Sequence, residues 1–212
     1  MKTHLCLNEE SLLASPFDEK NIQSIVQTVL PLWRPQSGDE EFAKLYVEFL
    51  VRNNIFFPEL SVQLTDENRT EGDRLLAAAF AERQSDKNDA LAWLKENSRN
   101  VTELERKKLD MLVEYLRWMD SKTLKLMSEG DVKLSLFVSR YRGYGIRTLS
   151  LLYEKLCSMG FKNVYLWTDC ECDWQWYVRH GYELLNRESY TPFCDKASGR
   201  DFLTFVFRKK LA

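Results

Sequence analysis

From Ser139 to Arg147 the chain reads Ser-Arg-Tyr-Arg-Gly-Tyr-Gly-Ile-Arg, two glycines among three arginines. That composition suits an anion, and the flanking patterns say how it would be held. Upstream, Val132, Leu134, Leu136 and Val138 alternate with a strand's period of two. Downstream, Ile146, Leu149, Leu152 and Leu156 recur at helical spacing. A bend that opens a helix leaves several backbone N–H groups without partners. Those donors, with the positive end of the helix dipole, suit a phosphate or pyrophosphate. Gly143 and Gly145 let the chain curl and keep side chains clear of a ligand. The bend lacks the Gly-x-Gly-x-x-Gly of dinucleotide sites and the Gly-Lys-Ser/Thr ending of nucleotide P-loops.

The elements beyond the bend continue the pattern. Gly160 stops the helix, and Asn163–Thr168 reads as a strand. Asp169–Tyr177 reads as a short helix ending at His180-Gly181, and Tyr182–Leu185 resumes a strand. Two motifs in this order resemble the GNAT superfamily of acyl-CoA N-acyltransferases. Arg142-Gly143-Tyr144-Gly145-Ile146-Arg147 is similar to its Arg-Gly-x-Gly-Ile-Gly pyrophosphate loop, with Arg147 in place of the small last residue. A second register, Arg140-x-x-Gly143-x-Gly145, fits the formal Arg-x-x-Gly-x-Gly pattern through the same bend. Tyr177-Val178-Arg179-His180-Gly181-Tyr182 resembles the family's Tyr-x-x-x-Gly-Phe signature. The resemblance covers residues 130 to 208 well and the first half in outline.

It implies an α/β (α+β) fold: a mixed, mostly antiparallel sheet flanked by helices. Asp18 is placed as the cap of a helix running to about Leu32, and a second helix covers about Asp39 to Arg52. Pro31 and Pro35 frame a break between them. Strands are expected at Glu10–Ala14, Glu59–Thr65 and Arg74–Arg83. Residues 86–121 then interrupt the plan as a helical insertion between the third and fourth strands. Asp86 or Asn88 would cap its first helix, and Thr102 with Glu105 forms a capping box for the second. Thr123–Met127 and Val132–Val138 read as a hairpin around Ser128–Asp131. The insertion would cover the sheet, close over the acceptor or form a homodimer contact. With no repeat or low-complexity linker, residues 1–212 read as one domain.

Thirty Lys and Arg against 32 Asp and Glu give a net charge of −2, so the whole chain has no bias toward nucleic acid. No apolar run reaches the length of a membrane span, and Met1-Lys2-Thr3-His4 leads into no signal-peptide core, which reads as a cytoplasmic protein. Five cysteines without paired zinc spacing, and only two histidines, read as reduced thiols with no metal.

The resemblance further implies acetyl-CoA as acyl donor and an amine as acceptor, in a small molecule, a peptide or a protein. The loop residues Arg140, Arg142, Gly143, Tyr144, Gly145, Ile146 and Arg147 would take the pyrophosphate. Phe137 and Val138 would flank the pantetheine arm. Tyr177 would protonate the departing thiolate, a phenol being a reasonable donor to a thiolate of similar basicity. The family often has an asparagine two turns earlier. That place falls near Cys170, with Asp173 as a substitute. Glu82 and Asp169 are the candidate general bases. A non-catalytic acyl-CoA-binding module and a protein-interaction domain are the competing readings.

Overall fold

The computed structural model describes residues 11–36, 38–194 and 199–211. Glu10, the expected start of the first strand, lies outside them, as do His4 and Cys6. The elements in order are β1 (Leu12–Ser15), α1 (Ile22–Trp33), α2 (Glu40–Asn53), β2 (Ser61–Asp66), β3 (Leu75–Glu82), α3 (Ala90–Asn97) and α4 (Glu103–Leu124), followed by β4 (Asp131–Ser139), α5 (Tyr144–Ser158), β5 (Asn163–Asp169), α6 (Trp174–Arg179), β6 (Glu183–Ser189) and β7 (Leu203–Lys210). The strands form one seven-stranded sheet in the order β1-β2-β3-β4-β5-β7-β6. Pairing is antiparallel for β1 with β2, β2 with β3, β5 with β7 and β7 with β6, and parallel for β4 with β5. This is the mixed, mostly antiparallel sheet expected, with α3 and α4 inserted between the third and fourth strands.

By contact density the chain divides into two compact units. The first takes the described part of Met1–Phe80 with Lys87–Val101 and Leu136–Glu154. Its core gathers Ile22, Ile25, Val26 and Val29 from α1, Val47 and Val51 from α2, Leu75, Ala78 and Phe80 from β3, and Leu136 and Val138 from β4. The alternating and helical periods of the sequence are thus the two faces that meet here. Asp39 caps α2 through the Phe42 amide at 2.7 Å. Asp18 caps a short 3-10 turn, Glu19–Asn21, that feeds α1. Pro31 sits within the last turn of α1, which continues to Trp33. Asn88, rather than Asp86, serves α3: its Oδ1 accepts from the Ala90 amide at 3.2 Å.

The second unit takes Ala81–Asp86, Thr102–Ser135 and Lys155–Ala212. The capping box opens α4 as expected, with Thr102 and Glu105 bonding reciprocally. The expected hairpin at Thr123 is corrected. α4 runs on to Leu124, because the apolar spacing that buries Leu109, Leu112, Leu116 and Met119 continues through Thr123. The Thr123 hydroxyl donates to the Met119 carbonyl one turn back at 2.9 Å. Ser128–Asp131 is a turn from helix to strand, closed by the Ser128 amide on Asp131 Oδ2 at 2.9 Å. β5 is in register with β7 along its whole length, whereas its register with β4 covers Asp131 to Lys133.

Candidate active site

In the first unit, the bend after β4 does turn directly into α5, which begins at Tyr144. Gly143 sits at φ 96°, a conformation that disfavours any side chain. Gly145 is there for space: a Cβ would meet Phe137 Cζ at 2.9 Å and Ser139 Cβ at 3.0 Å. The first turn of α5 therefore packs hard against the end of β4, and the opening turn of a helix is where backbone amides lack intrahelical partners. Arg142 and Ile146 are exposed beside them. Arg140 is placed differently. Its guanidinium donates to the Gly72 carbonyl at 2.8 Å and to Asp73 Oδ1 at 3.0 Å, which ties the bend to the turn before β3. Arg69 stacks 4.3 Å over the Tyr141 ring on the same side.

Tyr144 points inward, 6% exposed, among Leu64, Leu76 and Ala77. Its hydroxyl is buried with no hydrogen-bond partner among the described residues. An unsatisfied buried hydroxyl costs about 1–3 kcal/mol. Tyr144→Phe should therefore raise the urea midpoint or leave it unchanged. A fall in midpoint would show that the hydroxyl has a partner.

In the second unit, α6 carries Tyr177 half-buried. Its ring lies 5.2 Å from Tyr182, 5.6 Å from Phe207 and 5.3 Å from Trp176, and its hydroxyl has no hydrogen-bond partner among the described residues. Burial pushes the phenol well above its ordinary range, with Tyr182, Cys172 and Asp173 adding to the rise. Asp173 stands at the N-cap position of α6 and pairs with Arg179 at 2.9 Å, both exposed.

Asp169 ends β5. Its Oδ1 accepts from the Glu171 amide at 3.0 Å and its Oδ2 from the Tyr115 hydroxyl at 3.0 Å. Burial drives its carboxyl above the usual carboxylate value, and these hydrogen bonds pull against the rise. Burial also pushes the neighbouring Cys172 thiol up to about 11, with the Asp169 charge adding to it, so the thiol is neutral at pH 7. Cys172 lies in the segment that joins Asp169, at the end of β5, to α6, which carries Tyr177.

Glu82 is not on that turn. It ends β3 at 3% exposure, against the Lys133 ammonium of β4, which also binds Asp120 of α4. Asp120 Oδ1 in turn accepts from Trp167 Nε1 at 2.7 Å. Burial drives Glu82 up to about 7 against the pull of Lys133. Burial also pulls Lys133 down, but Asp120 and Glu82 outweigh it and hold the ammonium above the ordinary lysine value. Glu82 and Asp169, the two acids singled out in the sequence, thus occupy separate networks.

No protein-family model matches the chain, and no curated protein matches it. Solved structures do. An Ard1 from Thermoplasma volcanium superposes with a TM-score of 0.53 at 11% identity, covering 95% of this chain and 99% of its own. A GCN5-related N-acetyltransferase from Kribbella flavida gives 0.52 at 12% identity, covering 96% and 100%. An agmatine N-acetyltransferase gives 0.51 at 15% identity, covering 95% and 100%. The chain has the GNAT fold.

Within that fold, the glycine bend occupies the β4-to-α5 connection and the Tyr-x-x-x-Gly-Tyr segment occupies α6 and the turn into β6. Gly181 closes α6 at φ 77°. Four participants were not legible beforehand: Lys133, Asp120, Tyr115 and Trp167. Lys133 alternates with Val132 and Leu134, which reads as a solvent-facing position. The only signal for Tyr115 and Asp120 was their i, i+3 and i, i+4 spacing to the apolar stripe of α4. Cys157, Cys170, Cys172 and Cys194 are free thiols, and among the described residues no group of His, Cys, Asp and Glu could hold a metal. No helix among them is long and apolar enough to cross a membrane.

Proposed function

We propose that the chain is an N-acetyltransferase that transfers an acetyl group from acetyl-CoA to a primary amine by direct attack, and that residues 1–212 form a single acyltransferase domain. The observation that carries this reading is the bend itself. Gly143 adopts a conformation few side chains tolerate, and Gly145 has no room for a Cβ, at the point where a fifteen-residue helix begins. Both constraints set the opening turn of α5 directly on the end of β4 and keep side chains off the bend, an arrangement that suits a pyrophosphate at a helix N-terminus. Arg142 would add charge. Arg140, held by Gly72 and Asp73, would steady the bend. Arg147, Tyr144 and Ile146 would contribute through their backbone, and Phe137 and Val138 would flank the pantetheine.

Acetyl-CoA would supply the activated thioester. The chain would supply the rest. Asp169 would take a proton from the acceptor ammonium, so that the free amine attacks the carbonyl carbon. As the C–S bond breaks, Tyr177 would give its phenolic proton to the sulfur, and the second proton shed by the nitrogen as the amide forms would return the phenolate to phenol through solvent. Asp169 is preferred to Glu82 as base because it ends β5, in the segment that leads into the helix carrying Tyr177, whereas Glu82 is closed in beneath Lys133. The named neighbours include an agmatine N-acetyltransferase and a GCN5-related N-acetyltransferase. They support an amine acceptor here without choosing between a small molecule and a protein. The free thiols fit a cytoplasmic setting.

Calorimetric titration with coenzyme A, followed by thiol release from acetyl-CoA across a panel of amines, tests this. The wild type should bind and turn over. Gly145→Val should abolish binding while keeping a cooperative melt, because the side chain forces the bend off β4. Binding that survives Gly145→Val unchanged would remove the loop from the site. Binding without turnover on any amine would favour a non-catalytic acyl-CoA module.

A further inference from the structure

We propose that Tyr115, contributed by the helical insertion, is a positioning residue that sets the ionisation of Asp169 and so the pH at which the enzyme switches on. The inference rests on the reading of Asp169 as general base.

The geometry is specific. The Tyr115 hydroxyl donates to Asp169 Oδ2 at 3.0 Å, while Oδ1 is taken by the Glu171 amide. Tyr115 is 5% exposed, and its ring is boxed by Tyr190 and Phe193 at 5.0 Å, Trp167 at 5.7 Å and Phe202 at 5.8 Å. Trp167 is itself pinned by Asp120, and Asp120 by Lys133. The hydroxyl therefore has nowhere else to turn, and its position is enforced from β5 and the segment between β6 and β7. The titratable side chains that act on the carboxylate are Tyr115 from α4 and Cys172 from the turn after β5. On β7 the residue in register is Thr204, which carries no charge. Tyr115 stays protonated because burial and the Asp169 charge both push its phenol up. Its hydroxyl donates to Asp169 Oδ2, and a donor favours the ionised carboxylate. Burial alone would leave Asp169 protonated to higher pH, and a protonated carboxyl accepts no proton from an amine. Tyr115 opposes that burial.

The test is Tyr115→Phe, which keeps the ring in its box and removes only the donor. The direct readout is a carbon-13 titration of aspartate side-chain carboxyls, with Asp169→Asn identifying the signal. The Asp169 midpoint should move to higher pH in Tyr115→Phe and stay put in Tyr190→Phe, which alters a neighbouring ring without touching the carboxylate. In the kcat/KM profile the acid limb should move the same way. At a pH on that limb Tyr115→Phe should run about tenfold slower than wild type, the factor corresponding to one hydrogen bond to a charged group, and the two should match on the alkaline plateau. An unmoved Asp169 midpoint overturns the proposal whatever the activity does. A moved midpoint with an unmoved acid limb supports the control of Asp169 by Tyr115 and overturns instead the reading of Asp169 as base. Equal melting curves for wild type and Tyr115→Phe separate either result from a loss of fold.

Discussion

Lys133→Met should destabilise the protein by about 3 kcal/mol or more at pH 8, and by much less at acid pH. Lys133 is 1% exposed and stands between the carboxylates of Glu82 and Asp120. Removing one partner of a buried ionic group strands the others, which costs about 3–5 kcal/mol. The sign of the pH dependence follows from Glu82. Its carboxyl is raised from 4.5 to about 7 in the folded state. The stability linked to that proton is fully present below the unfolded value and is lost as pH climbs through 7. Without the ammonium, Glu82 keeps its proton to still higher pH. Each pH unit above 7 then costs the variant about 1.4 kcal/mol that the wild type does not lose. Urea unfolding at about pH 5.5 and about pH 8.5 checks this. Equal losses at the two pH values would mean that Glu82 does not titrate between them. The double variant Glu82→Gln with Lys133→Met should recover much of the loss, since it leaves no stranded charge on β3.

Tyr177→Phe should lower kcat about 100-fold, near the lower end of what a positioned general acid contributes, with little change in the affinity for acetyl-CoA. The hydroxyl has no hydrogen-bond partner among the described residues, and the ring keeps its contacts with Tyr182, Phe207 and Trp176, so the melt should not move. A phenol pushed up by burial also predicts the shape of the wild-type profile. No alkaline limb from this tyrosine should appear within the ordinary phenol range, because the acid stays protonated there. Steady-state kinetics on both proteins decides the matter. Unchanged kcat in Tyr177→Phe at every pH would assign the thiolate's proton to water.

The parts of this fold that were legible in the sequence are those where a local rule and the tertiary fold agree. Thr102 and Glu105 announce α4, and Gly143 and Gly145 announce a bend that opens a helix. Val132, Leu134, Leu136 and Val138 announce β4. The failures share a cause. β7 is not legible because Thr204-Phe205-Val206-Phe207 is buried on both faces, so no alternation of polar and apolar residues marks it. Lys133 was passed over for a related reason: alternation tells which residues share a face, but not whether the other face meets water. The hairpin drawn at Thr123 failed because a β-branched residue at a buried helical position can satisfy its hydroxyl on the preceding turn. Asp169 was found as one acid among several. What distinguishes it is a donor that arrives from 54 residues away in the chain.

That donor changes how the insertion should be regarded. α4 is 22 residues long, about 33 Å of helix, and from it Tyr115 and Asp120 reach groups on β4 and β5. Trimming residues 86–121 to a short loop, a natural step toward a minimal catalyst, would take both side chains away together and strand Lys133 with Glu82 alone. The segment is better understood as part of the chemical scaffold than as a decoration on it, and anyone shortening this protein must first rebuild what those two residues do.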